Sequence, residues 1–276
     1  MTLLASWISI DTHGPSAAYI AADSRISWRQ TQHFDYFDYG KKVFASKRYP
    51  EIFGYAGDVL FPSIVLSQIL EMIDSGLLFR QNMSCSEKNG IVYEKLCHSF
   101  SKYPDIYGNT PIQVLHISRE TVFEGYPSFY HYRMSWDRSS GWSRSEKSIP
   151  DESGLIAVLG SGGKEFSENY KNRYQEGPNK STSRNVFHCF IDTLMNIQTN
   201  QCGGAPQLVG IYRKPLSSAR NYGIIYGNKR YFLGMEIPDN ASFGMIEWRN
   251  ELFELCDGAT KAKIVGAASQ KDSLRR

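Results

Sequence analysis

The chain offers little cysteine chemistry. Its five cysteines, Cys85, Cys97, Cys189, Cys202 and Cys256, are odd in number and form no C-x-x-C pair. That excludes a disulfide-stapled scaffold and a zinc finger, and it suits a reducing compartment. Long apolar runs are missing as well: none approaches the ~18–20 residues that cross a bilayer, so no membrane partner is expected. The N-terminus lacks a charged segment ahead of an apolar run and a cleavage site, so no secretory signal is expected and a cytoplasmic location is. Neither sign of charge is in excess. The formal net charge is +3 over 276 residues, with both signs scattered, and no basic stripe of the kind nucleic acid needs can be drawn. There is no internal repeat and no low-complexity linker.

What is present is ordinary globular material. Apolar residues make up 41% and aromatic residues 13% of the chain, ample for a large core. The pattern predicts strands over 2–10 and 17–23, joined by the turn 11–16, and a strand-and-loop segment over 26–39. Short strands follow at 43–45 and 51–55. A helix is expected over 59–73, with Leu60, Ile64, Leu66, Ile69, Leu70 and Ile73 near one stripe, and a second over 91–100. Strands are expected at 112–117, 121–126, 129–136 and 155–159. Helices follow over 164–174 and from an N-cap at Ser181 or Ser183 through Ile197. Strands at 207–212, 222–226 and 231–235 precede a last helix over 248–256. Periodicity supports an α+β class. The expected organisation is a single domain over residues 1–276, with 244–276 as a C-terminal helix and tail extension.

Chemistry concentrates in the first quarter. The chain begins Met1-Thr2-Leu3-Leu4. Aminopeptidases remove Met before small residues, which frees a Thr whose hydroxyl is a nucleophile and whose own α-amine is the base. That amine has an unperturbed pKa of about 7.7–8.0, so a neutral fraction exists near pH 7 without any histidine. A Lys ammonium near the hydroxyl would lower its pKa and stabilise the developing alkoxide. Such a Lys needs an acidic partner. Asp23, in Ala21-Ala22-Asp23-Ser24-Arg25, fits that role, oriented by Ser24 or Arg25, and Lys42, in Lys41-Lys42-Val43-Phe44, supplies the ammonium. An oxyanion needs a fixed donor, and a backbone N–H where a strand runs into a helix suits it. Gly57, in Tyr55-Ala56-Gly57-Asp58, stands at such a place. Singly these are a strand-end turn, a solvated lysine pair and a turn glycine. Together they form the parts of one active site in order.

In that order they resemble the proteasome β-subunit family, which includes the bacterial HslV and Anbu peptidases. Thr2, Asp23, Lys42 and Gly57 match its motifs, and Lys41 is the weaker candidate because the family Lys directly precedes the apolar residue. Gly160-Ser161-Gly162 resembles the family's Gly-Ser-Gly turn, and Ser161 would be the hydroxyl supporting the α-amine. With Lys164 this run also looks like a phosphate loop, but the Ser or Thr after the Lys is missing. The resemblance implies a four-layer αββα sandwich of two antiparallel sheets. It also implies a threonine peptidase or amidohydrolase with no metal or organic cofactor, a peptide or protein substrate, and a homo-oligomeric ring or stack, with any ATPase partner unspecified. Two departures stand out. Where family members carry an Asp and a Ser, this chain has Thr199 and Cys202, and it is longer, chiefly over 126–153 and after 244. The alternatives are a silent ring scaffold or a small-molecule amidase on the same fold.

Overall fold

The computed structural model describes residues 2–29, 34–80, 82–104, 110–120, 122, 125–214 and 217–269. The first two strands, β1 (Leu4–Asp11) and β2 (Gly14–Ala22), pair through Leu4↔Ala22 and Trp7↔Tyr19. They sit centrally in a five-stranded antiparallel sheet, with β10 (Gly154–Leu159) against β1, and β11 (Gln207–Tyr212) followed by β12 (Arg220–Asn221) against β2. A second five-stranded antiparallel sheet runs in sequence order through β5 (Val43–Ala45), β6 (Glu51–Gly57), β7 (Ile112–Arg119), β8 (Phe129–Asp137) and β9 (Gly141–Lys147). The segment at 26–39 forms a separate hairpin of β3 (Ile26–Arg29) and β4 (Phe34–Phe37). The class is mixed α+β.

Strand alternation decides what each face meets. Leu3, Ala5, Trp7, Tyr19 and Ala21 pack with Phe166, Phe187 and Phe190 of α3 (Gly163–Asn169) and α4 (Ser183–Asn196). Their neighbours Leu4, Ile8, Ile20 and Ala22 face the other way, against Val43, Ile52, Leu115 and Ile117 of the second sheet. That sheet's opposite face carries Phe44, Phe53 and Tyr55 against α1 (Leu60–Asp74) and α2 (Cys85–Phe100). β1 is therefore buried on both faces, which gives its N-terminal end a rigid mount.

Several expectations change. The helix expected over 248–256 is instead two short strands, β16 (Trp248–Arg249) and β17 (Leu255–Cys256). They join an extra sheet with β13 (Gly223–Tyr226), β14 (Lys229–Phe232) and β15 (Met235–Ile237). The reason is local: the Asn250 carboxamide oxygen accepts from the N–H groups of Leu252 (3.0 Å) and Glu254 (2.9 Å), and Phe253 takes φ of 63°. A side chain that bonds its own backbone this way competes with the helical ladder. On α1, Leu60 and Ile64 lie on the solvent face rather than in the buried stripe, which Phe61, Val65, Leu66, Ile69 and Ile73 supply. α2 starts at Cys85, six residues before the expected start, because Ser84 and Glu87 form a capping box. The cap of α4 is Thr182, whose hydroxyl accepts from Asn185 N–H at 3.2 Å. Of the strand expected over 121–126, residues 121, 123 and 124 lie outside the described residues, and Gly125 turns with φ of 80°.

One buried histidine ties the two large sheets together. Ser6 on β1 and His131 on β8 share a hydrogen bond of 2.8 Å, and burial lowers the imidazole to about 4. The folded protein keeps His131 neutral, while the unfolded chain protonates it below its ordinary pKa of about 6.5. Stability is thus highest above that value and falls as pH drops toward 4. Between pH 7 and 5 the loss should be about 2 kcal/mol. Urea unfolding of the wild type and of His131→Gln at both pH values checks this, and an identical pH dependence in the two proteins would refute it.

Candidate active site

The N-terminal end of β1 carries a connected polar cluster inside the protein. Thr2, Asp23 and Lys42 are all completely buried. The Lys42 ammonium donates to Asp23 Oδ1 at 2.8 Å and to the Arg25 carbonyl at 2.5 Å. Asp23 is held by backbone donors: Leu3 N–H at 3.0 Å on Oδ1, and Gly203 N–H at 3.0 Å and Arg25 N–H at 3.3 Å on Oδ2. An ion pair removed from water this completely persists only with further hydrogen bonds around it, and here three backbone N–H groups and the Arg25 carbonyl supply them. The pair also anchors β1, since the carboxylate grips the residue next to Thr2.

Asp23 was expected to be oriented by Ser24 or Arg25. Arg25 contributes its backbone N–H, not its side chain. The guanidinium instead makes a bidentate pair with Asp38 at 2.7 and 2.8 Å, and the Ser24 hydroxyl donates to the Asp38 carbonyl at 2.7 Å. Together they close the β3–β4 hairpin over the cluster. Gln207, which sequence reasoning missed, bridges the same region: its amide nitrogen donates to the carbonyls of Asp23 (3.1 Å) and Gly40 (2.7 Å), while its oxygen accepts from Lys42 N–H at 3.1 Å. No local pattern signals a glutamine more than 160 residues away in the chain. Lys41 and Lys42 separate as expected, with Lys41 exposed and its ammonium 4.5 Å from the Phe44 ring centre.

The Gly-Ser-Gly turn closes on Thr2 from the other side. Thr2 N–H donates to Ser161 Oγ at 3.3 Å, and Gly162 N–H donates to the Thr2 carbonyl at 3.2 Å. Cys202 reaches the same point, with Sγ 3.5 Å from Ser161 Oγ, and burial pushes its thiol up to about 11, so it is neutral at pH 7. Thr199 does not join this group; its hydroxyl accepts from Gln201 N–H at 3.2 Å within its own loop. Gly57 ends β6 just before α1, with φ of 99°, and a Cβ there would fall 1.9 Å from the Pro111 carbonyl oxygen. β6 is registered on the cluster through Tyr55 N–H, which donates to the Lys42 carbonyl at 3.1 Å. Four of the five expected site residues are thus joined by direct bonds or one intervening residue, and Gly57 lies two residues beyond the Lys42 contact.

Gly160 gives a sharp prediction. Its φ is 87°, and a Cβ would lie 2.0 Å from the Thr2 carbonyl oxygen; at Gly14, with φ of 92°, the same Cβ would meet nothing within 4 Å. Gly14→Ala should therefore show backbone strain alone, about 1 kcal/mol. Gly160→Ala should lose several times that and displace Thr2. Equal melting shifts for the two variants would mean that the close approach to Thr2 is not what requires glycine.

No family model and no curated protein matches the sequence. Solved structures do match in fold. An Anbu mutant from Hyphomicrobium sp. strain MC1 superposes with a TM-score of 0.51 at 13% identity, covering 85% of this chain and 87% of that one. Anbu from Yersinia bercovieri, described as an ancestral beta-subunit, gives 0.52 at 11% identity, covering 85% and 88%. This chain has the Anbu fold. The buried cluster stands at the end of the central β1–β2 pair. Among the described residues no group of His, Cys, Asp and Glu is arranged to hold a metal ion, and no helix is long and apolar enough to cross a membrane.

Proposed function

We propose that this chain is an N-terminal nucleophile hydrolase of the proteasome β-subunit kind: a threonine peptidase that acts after Met1 is removed. The observation that carries the reading is the buried Lys42–Asp23 pair set directly against the residue after Thr2. A fully desolvated ammonium is costly to keep, and a positive charge beside a hydroxyl nucleophile is what this chemistry uses.

Thr2 Oγ attacks the substrate carbonyl while the α-amine, through a water, takes the hydroxyl proton. The Gly57 N–H stabilises the oxyanion, and collapse of the tetrahedral intermediate, with the α-ammonium returning its proton to the leaving nitrogen, expels a neutral amine and leaves an ester on Thr2. A water activated by the same amine then hydrolyses the ester. Lys42, paired with Asp23, keeps the site positive throughout, and Ser161 orients the amine. None of these steps uses a metal or an organic cofactor.

In this reading the α+β fold is the four-layer αββα sandwich and the chain one domain, supported by the alternating faces of β1 and β6. The location is cytoplasmic. The assembly is a homo-oligomeric ring or stack, supported by the exposed Leu60 and Ile64 on α1, since adjoining apolar side chains on a monomer's surface suit an interface. Native and denaturing mass spectrometry of purified protein tests both points at once. Subunits beginning at Thr2 in a complex well above a dimer are expected. Retained Met1 in a stable oligomer would turn the reading to a silent scaffold subunit, and an active monomer would turn it to a small-molecule amidase.

A further inference from the structure

The inner face of the second sheet changes character at the level of Thr2. On β7, Leu115 and Ile117 belong to the apolar layer between the sheets, but the next inward residue is Gln113. Register places Gln113 opposite Ala56 on β6 and Ser135 on β8, with Ser143 beyond on β9. The adjoining row runs Gly54, Leu115, Arg133, Ser145. Directly opposed residues share a face, so Arg133 and its polar neighbours line one cleft, of about 360 Å³.

Two contacts align this cleft with β1. A Cβ on Gly54 would lie 2.9 Å from Leu4 Cδ1, and Ser6 bonds His131. Leu4 thus sits at the Gly54–Arg133 row and Ser6 at the His131 row. Thr2 shares their face of β1, two residues further toward the N-terminus, and so falls at the Ala56–Gln113–Ser135 row. β8 lies two strands from β6, about 10 Å, which is the reach of three extended residues.

Arg133 is half-buried, and its Nε donates to Ser135 Oγ at 3.2 Å. Among the described residues no carboxylate pairs with it. The carboxylate that lines the cleft, Asp137, accepts from the N–H groups of Ser139 and Ser140, both at 2.9 Å, and from their hydroxyls. Those bonds hold it well below the usual carboxylate range. It therefore serves its own turn. A guanidinium in a partly desolvated cleft, flanked by serine and glutamine, fits a carboxylate bidentately.

We propose that Arg133 is a specificity-determining residue that binds a substrate carboxylate about three residues from the scissile bond. The preferred substrates are then acidic peptides. This rests on Thr2 as the reacting centre.

The test uses fluorogenic peptides carrying Glu or Gln at each position around the cleaved bond. At one position near the third residue, kcat/KM for Glu should exceed that for Gln about tenfold, as one added charge-assisted hydrogen bond gives. The ratio should fall toward one in Arg133→Gln, and Arg133→Glu should favour Lys. A second readout needs no turnover: Thr2→Ala protein should bind the Glu peptide more tightly by fluorescence anisotropy, and Thr2→Ala/Arg133→Gln should not. Cleavage without charge preference, or a preference untouched by Arg133→Gln, overturns the cleft and leaves the chemistry standing. Arg133-dependent binding without cleavage overturns the chemistry and leaves the cleft standing. Neither binding nor cleavage overturns both.

Discussion

Thr2→Ala is expected to lower kcat/KM by roughly three orders of magnitude or more, because the proposed mechanism loses its nucleophile. It should also abolish labelling by threonine-directed electrophiles. The bonds from Asp23 to Leu3 N–H and to Lys42 do not involve the Thr2 side chain, so the anchoring of β1 survives and circular dichroism should be unchanged. Thr2→Ser keeps hydroxyl and amine and should retain partial activity. Wild-type turnover by the alanine variant would place the chemistry elsewhere in the molecule.

Lys42→Ala should be nearly as damaging, for two separable reasons. The ammonium disappears from the site, and Asp23 is left as a completely buried carboxylate without its counter-ion. Removing one partner of such a pair costs about 3–5 kcal/mol. Lys41→Ala, at an exposed position, should change stability by less than about 0.5 kcal/mol. Comparing the fall in activity with the fall in melting temperature separates the two effects: activity lost at temperatures where Lys42→Ala is still fully folded is the share of the ammonium itself. If Lys41→Ala proved the more damaging of the two lysine variants, the ammonium in the site would be Lys41 and the register from Gly40 to Phe44 would be wrong by one residue.

Much of this site was legible because its parts are short and local. Thr2 behind Met1, an acid at the end of β2 and a lysine before an apolar strand are each read within a few residues. The two elements that brace the cluster were not. Gln207 and the Gly203 N–H reach Asp23 and Lys42 only because β11 pairs with β2 through Gln207↔Ala22. The role of Cys202 was legible as a departure but not as a contact, since its 3.5 Å approach to Ser161 joins two loops that sheet pairing brings together. The replacement of the expected last helix by β16 and β17 shows a different limit. The apolar spacing over 248–256 is compatible with a helix, yet the Asn250 side chain takes the backbone donors a helix would need.

By itself the sequence determined the α+β class, the lack of a metal-finger or disulfide framework, and the chemical types at Thr2, Asp23, Lys42, Gly57 and Ser161. Those follow from composition, periodicity and residue chemistry, which act over one or two turns of chain. The tertiary structure decided which lysine is desolvated, which backbone groups hold Asp23, why Gly160 must lack a side chain, and that Arg133 shares a cleft with Gln113 and Ser135. Each of these depends on strand register and on two sheets meeting face to face. Such long-range geometry arises from the burial of many side chains at once, and no short segment encodes it.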